Sequence, residues 1–527
     1  MKKNITTSNR LHDPLFQLIK SLGKAEKRNF KLFVGRNTAS GDLKSVQLFD
    51  LLDKMTDYDE AALLKKGTSF KKEQLPNLKA HLYRQILASL RVLREEVNVE
   101  VQLHEQLEYA RILYDKGLYQ QSLRLLERTR ETAKTYHQNS FWLQALVFEK
   151  KIESLHITRS TRQRAEEISQ EVRLLNDRLA LIGRLSNLSL QLYNWYIYQG
   201  HARNGQELQA VHEFFTAQLP VNAWQAEGFF ERLYYAQAYC WYGFIAQDFL
   251  VYYRYARKWT ELFDRFPQMR KVETAYYVKG MHNLLIAHFM LRNHAGFADT
   301  LHRFESFAES EEAKATDNMR AQTAIYLHIA RLNGCFLSGD FTAGIALIPE
   351  VEACLTQFQL QTDRHRVLVF YYKIACLYFA CGDYSHAIEY LHRIIHWKVD
   401  LRGDLQCYAR LLHLISHYEL GNMDIMEHLI KSVYRFMANM EHLSVVEEEI
   451  FRFIRKSFQW SSNAQIHAAL GLLLDRLRRI EHNRFESRSF MYLDIISWIE
   501  SKLEHVPVQE VIRRKREKDR RGGTLGA

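Results

Sequence analysis

YYKIACLYFACGDYSHAIEYLHRII, Tyr371 to Ile395, decides the fold. Tyr371, Ile374, Ala375 and Tyr378 recur at a spacing that shares one face of a helix, and Ala387, Leu391, Ile394 and Ile395 do the same after a break. The break is Cys381-Gly382-Asp383. Gly382 supplies the permissive backbone that a helix end needs, and Asp383 or Ser385 can cap the next helix. Ala375 and Ala387 are small where the two helices would cross, so that their backbones can approach. The stretch therefore predicts a helical hairpin, and by itself it names no substrate, cofactor or reaction.

The same pattern extends in both directions. Ala110, Gly117, Tyr119, Ser122 and Leu126 align with Ala375, Gly382, Tyr384, Ala387 and Leu391, and further turns are expected at Gly200, near Gln247, near Asn293, at Gly339-Asp340-Phe341 and at Gly421-Asn422-Met423. From Gly200 onward the spacings are 47, 46, 46, 43 and 39 residues, and the longer interval from Gly117 leaves room for another turn near Arg159. Tyr371, Ile374, Ala375, Tyr378, Gly382, Tyr384, Ala387 and Leu391 occupy the positions of a tetratricopeptide motif, which this hairpin resembles. It departs from that motif where Tyr371 replaces the first Trp and Val399 the closing Pro. The spacing exceeds the ~34 residues of an ordinary array and implies lengthened helices. The expected fold class is all-α, a right-handed α-solenoid of tetratricopeptide-like helical hairpins with a small N-terminal helical domain. Roughly nine hairpins fit between Val99 and Leu503.

Composition agrees with a helical chain. The 527 residues are 47% hydrophobic and 25% charged, with only 6 Pro and 22 Gly, and no run of alternating β-branched residues is visible. The six cysteines, Cys240, Cys335, Cys354, Cys376, Cys381 and Cys407, form no CxxC pair and read as buried thiols in a reducing compartment. The N-terminus lacks the apolar core of a signal peptide, and no stretch approaches the roughly 18 apolar residues of a membrane span. A cytoplasmic protein with no membrane span is the expectation.

Charge divides the chain. Residues 1–100 hold 19 Lys/Arg against 12 Asp/Glu, and residues 505–527 hold seven against three, so the stretch between is formally neutral within a total of +11. Three segments follow: a basic N-terminal helical bundle or cap at 1–98, the hairpin array at 99–506, and a basic tail at 507–527, too poor in apolar residues to pack and expected to be mobile. The acidic stretch Glu305 to Asp317 reads as a long solvated connection. Residues SLGKAEKRNFKLF, YDEAALL and LPNLKAHLYRQILASLR in the first 95 positions are similar to the opening of a family of uncharacterised bacterial helical-repeat proteins, which implies a shared architecture and brings no activity with it.

Candidate functional residues fall into three groups. Tyr235, Tyr239 and Tyr242 form a stripe beside the core stripe of Tyr234, Ala238, Trp241 and Ile245. Such a stripe can face the concave side of a superhelix and accept a peptide, unless neighbouring helices bury both stripes. Arg84 and Arg91 face away from the apolar stripe of the last N-terminal helix, in the order a helix-turn-helix DNA reader uses. With Arg513, Arg514, Lys515, Arg516, Lys518, Arg520 and Arg521 they are candidates for contact with nucleic acid or another anionic partner. Two His pairs at i, i+4 spacing, His392 with His396 and His413 with His417, have metal-pair spacing but sit opposite the apolar stripes, and chance supplies about one such pair among 23 histidines. No Gly-rich phosphate loop, HExxH or GxSxG occurs, so no cofactor, metal or catalytic residue is assigned. The expected function is a non-enzymatic protein- or peptide-binding scaffold or adaptor. The alternative is a nucleic-acid-associated regulator that uses the basic ends.

Overall fold

Four of the recurrent turns, after Gln247, Arg292, Gly339 and Gly382, are built by the same local chemistry. A left-handed residue ends the leading helix: Gly117, Gly200, Gly339, Gly382 and Gly421 have φ between 71° and 81°, while Gln247 and Arg292 adopt 55° and 52°. The following amide then satisfies a carbonyl left over at the helix end. Asp248 N donates to Gly243 O at 2.8 Å, Asn293 N to His288 O at 2.9 Å, and Asp383 N to Tyr378 O at 2.9 Å. Asp248, Asn293, Asp340 and Asp383 next cap the following helix, each side chain accepting from the amide three residues on. One residue pair thus closes one helix and opens the next.

The structure is a computed structural model and describes all residues except 1–12, 37–39, 67–70, 95–97, 157–161, 360, 398–402, 439–444, 458–461, 482, 484, 486–493 and 524–527. The turn expected near Arg159 and the position of Val399 lie outside the described residues. Contacts group the chain into two compact units, Met1–Ala165 and Glu166–Ala527.

The first unit holds α1 (Pro14–Ser21), α2 (Lys24–Arg36), α3 (Ser40–Lys54), α4 (Glu60–Lys66), α5 (Leu75–Arg94), α6 (Val99–Asp115), α7 (Tyr119–Thr135), α8 (Asn139–Leu155) and the first turn of α9 (Arg162–Gln199). It contains two apolar cores. Phe16, Ile19, Phe30, Phe49, Leu82 and Ile86 close one among α1 to α5, and Leu103, Leu107, Leu126 and Ile152 close the other among α6 to α8. The boundary expected near residue 98 therefore separates cores, whereas the contact division falls at 165. Glu149 is buried in the second core and pairs with Arg130 at 3.7 Å and Arg164 at 2.9 Å.

The second unit continues α9 and adds α10 (Gly205–Gln218), α11 (Phe229–Ile245), α12 (Phe249–Arg265), α13 (Gln268–Val272), α14 (Thr274–Met290), α15 (His294–Ala308), α16 (Glu311–Lys314), α17 (Asp317–Ser338), α18 (Phe341–Ala346), α19 (Ile348–Gln357), α20 (Arg364–Ala380) and α21 (Tyr384–Ile395). It ends with α22 (Gly403–Glu419), α23 (Met423–Ala438), α24 (Val445–Ser457), α25 (Asn463–Ile480), α26 (Ile495–Glu504) and α27 (Val508–Gly523). The described residues are helical with short connections and contain no strand. Most contacts run between neighbours in the chain: α11 packs on α12, α12 on α14, α14 on α15 and α17, α20 on α21, and α21 on α22, while α27 returns to pack on α17. Gly243 shows how closely a hairpin closes, since a Cβ there would lie 2.8 Å from the backbone N of Tyr252. In the opening stretch Ile374, Ala375, Ala387, Leu391 and Ile394 are all fully buried, as are Ala110, Ser122 and Leu126 at the matching positions of α6 and α7.

Two expected irregular segments are ordered instead. The acidic connection forms α16, because Ser310 and Thr316 cap α16 and α17 in turn and Ala313 is buried. The tail forms α27, where Val508, Val511 and Ile512 share one buried face and Ile512 reaches Gly339. Three apolar residues at helical spacing suffice because the charges around them are paired. Lys515 lies 2.8 Å from Glu500, Arg513 2.7 Å from Glu510, and Arg514 3.2 Å from both Glu504 and Glu510.

Candidate functional site

Tyr326 of α17 is the centre of a cationic and aromatic cluster in the second unit. Its ring is 5% exposed. His282 of α14 stacks on one side at 4.2 Å, and the Arg366 guanidinium of α20 lies 5.1 Å from the ring while donating to the phenol oxygen at 2.7 Å. Arg366 is fixed by the start of its own helix, since Asp363 caps its amide at 2.9 Å and pairs with its guanidinium at 2.6 Å. Lys279, one turn before His282, places its ammonium 5.3 Å from the Tyr326 ring and 6.0 Å from Trp241 of α11. Trp241 in turn meets Tyr193 of α9 at 5.0 Å and Tyr196 at 5.6 Å.

Trp241, His282, Tyr326 and Arg366 follow one another at 41, 44 and 40 residues, less than the 46, 46 and 43 residues between the corresponding turns, so that each stands farther ahead of its turn than the one before. Each stands on the leading helix of its own hairpin, and packing of successive hairpins brings them together although their positions along those helices differ.

The electrostatics follow from burial and these charges. Burial alone would raise the Tyr326 phenol, but the charges and hydrogen bonds of Lys279 and Arg366 bring it below its ordinary value. Burial, and then Lys279, Arg366 and Lys373, hold the His282 imidazole well below the usual range, which keeps it neutral. Burial and Asp363 raise the Tyr193 phenol. Behind the row Lys373 is 1% exposed and donates to Asn333 Oδ1 at 2.7 Å, and burial pulls its ammonium down to about 7. The surface can therefore offer positive charge from Lys279 and Arg366 beside flat rings, with the Tyr326 phenol buried beneath them.

The residues singled out from sequence lie elsewhere. Tyr235, Tyr239 and Tyr242 are half-buried and engaged with other rings: Tyr239 stacks on Tyr255 at 4.0 Å, Tyr235 meets Tyr239 at 4.9 Å, and Tyr242 stacks on Phe215 at 4.4 Å. They pack toward α10 and α12, while Trp241, read as core, joins the Tyr326 row. Arg84 and Arg91 are exposed on α5 in the first unit. Arg513, Arg514 and Lys515 are ion-paired on α27, Arg516 is partly buried there, and the side chains of Lys518, Arg520 and Arg521 lie outside the described residues.

The histidine pairs differ from the expectation that both sit on an outer face. His392 and His396 are exposed with ring centroids 4.0 Å apart, whereas His413 and His417, 4.5 Å apart, are partly buried. Burial, then the other three histidines and Arg410, pull His413 down to about 3. Among the described residues no three His, Cys, Asp or Glu side chains are grouped so as to hold a metal ion, and no helix is long and apolar enough to cross a membrane.

Comparison of the chain with protein-family models, with curated proteins and with solved structures finds no match.

Proposed function

We propose that this chain is a non-enzymatic protein- or peptide-binding scaffold, its hairpins stacked as a right-handed tetratricopeptide-like solenoid whose inner surface carries the Tyr326 row. The observation that carries this reading is the alignment of Trp241, Lys279, His282, Tyr326 and Arg366 from four successive leading helices. Hairpins that pack mainly on their neighbours bury their apolar faces by stacking, and stacking generates a long surface suited to an extended partner. Half-exposed aromatic and cationic side chains are the types that anchor such partners. The alternative of nucleic-acid contact through the basic ends is weakened by the carboxylates that pair Arg513, Arg514 and Lys515.

The experiment is selection of a displayed random-peptide library on the full chain, followed by rebinding to Tyr193→Ala and Lys279→Ala variants of unchanged melting temperature. Peptides enriched on the parent and lost on both variants are the expected result. No enrichment, or equal retention by both variants, would overturn the reading.

A further inference from the structure

Lys279 leaves a charge unsatisfied in the row. Its ammonium rests over the Trp241 and Tyr326 rings and forms no ion pair among the described residues. Arg366 flanks the same Tyr326 ring, and among the described residues its one carboxylate partner is Asp363. Among the described groups that face the surface of the row, two cations stand against one carboxylate, an excess of one positive charge, while Lys373 is buried and donates to Asn333. A singly charged carboxylate balances that excess. A phosphoryl group, at about −1.5 to −2 near neutral pH, would overshoot it. Beside Lys279 the Tyr193 ring is 43% exposed against Trp241, which provides a flat apolar flank.

We infer that the Tyr326 cluster is a subsite for a carboxylate side chain of a bound peptide, an Asp or Glu next to an aromatic residue. Lys279 and Arg366, which both reach the Tyr326 phenol oxygen, donate to the carboxylate, and the Tyr193–Trp241 pair receives the neighbouring ring of the peptide. Charge-assisted hydrogen bonds at a partly buried site of this kind are the stronger class, and a glutamine in place of the acid forfeits both charges. The inference rests on the peptide-binding reading above and sharpens it to one ligand chemistry.

The test uses the full chain and two capped hexapeptide pools that share neutral outer positions and differ only in a central Glu-Phe or Gln-Phe, titrated calorimetrically. The Glu-Phe pool should bind at least about tenfold more tightly, equivalent to about 1.4 kcal/mol. Lys279→Met should abolish that preference while leaving the melting temperature unchanged, and Arg366→Gln should reduce it. Equal affinity for the two pools overturns the carboxylate subsite and leaves peptide binding standing. Binding of neither pool overturns both. Competition by inorganic phosphate or AMP at concentrations where acetate has no effect also overturns the carboxylate assignment.

Discussion

Replacing Lys373 by Met should make the protein more stable in mild acid and less stable in alkali, with a crossing between. Lys373 is 1% exposed between Phe289 and Phe336, and burial lowers its ammonium from 10.5 to about 7. The unfolded chain therefore holds more protons than the folded one between those values, so stability rises with pH across that window at up to about 1.4 kcal/mol per unit. Below pH 7 the native state carries the full burden of a buried ammonium, on the order of 5 kcal/mol relative to its state above 10.5. Met removes that burden at every pH. It also strips Asn333 Oδ1, in a fully buried side chain, of its donor, which costs about 1 to 3 kcal/mol independent of pH. The charge effect wins near pH 6 and the lost hydrogen bond wins near pH 10. The assay is urea unfolding by far-ultraviolet circular dichroism from pH 6 to 10, comparing parent and variant so that other titrations cancel. Parallel stability curves for the two proteins would refute the reasoning, because they would mean that Lys373 keeps its ordinary proton affinity.

Ala387→Phe should overpack the α20–α21 hairpin and cost about 1 to 3 kcal/mol, whereas His392→Phe on the exposed side of the same helix should change the urea midpoint little. Gly382→Ala meets no atom within 4 Å but must adopt φ near 81°, so a loss of about 1 to 2 kcal/mol is expected from backbone strain, with Gly382→Asn losing less. Glu149→Gln in the first unit removes a buried carboxylate that pairs with Arg130 and Arg164 and should cost about 3 to 5 kcal/mol, read as earlier cleavage of that unit in limited proteolysis. Ile512→Ala should cost about 2 to 5 kcal/mol if α27 is packed as described, and nothing if the segment were an unattached tail.

The sequence by itself determined the helices and the turns between them, because both depend on residues a few positions apart. Apolar spacing within one helix, a left-handed residue at its end and an Asp or Asn after it are local chemistry, and they are complete in Gly382-Asp383 or Gln247-Asp248 without the rest of the chain. The tertiary structure decided what those helices face. Trp241 lies on the stripe that periodicity assigns to the core, yet α9 and α14 place it beside Lys279 and Tyr193. Tyr326, His282 and Arg366 carry no motif on any one helix and share no register relative to the turns, and only the packing of successive hairpins joins them. The tail shows the same division. Its composition is that of a solvated segment, and Val508, Val511 and Ile512 become a packed face only because α17 and α26 stand where they can receive it. Periodicity reports which side of a helix is apolar, whereas burial and charge pairing depend on which neighbour arrives there.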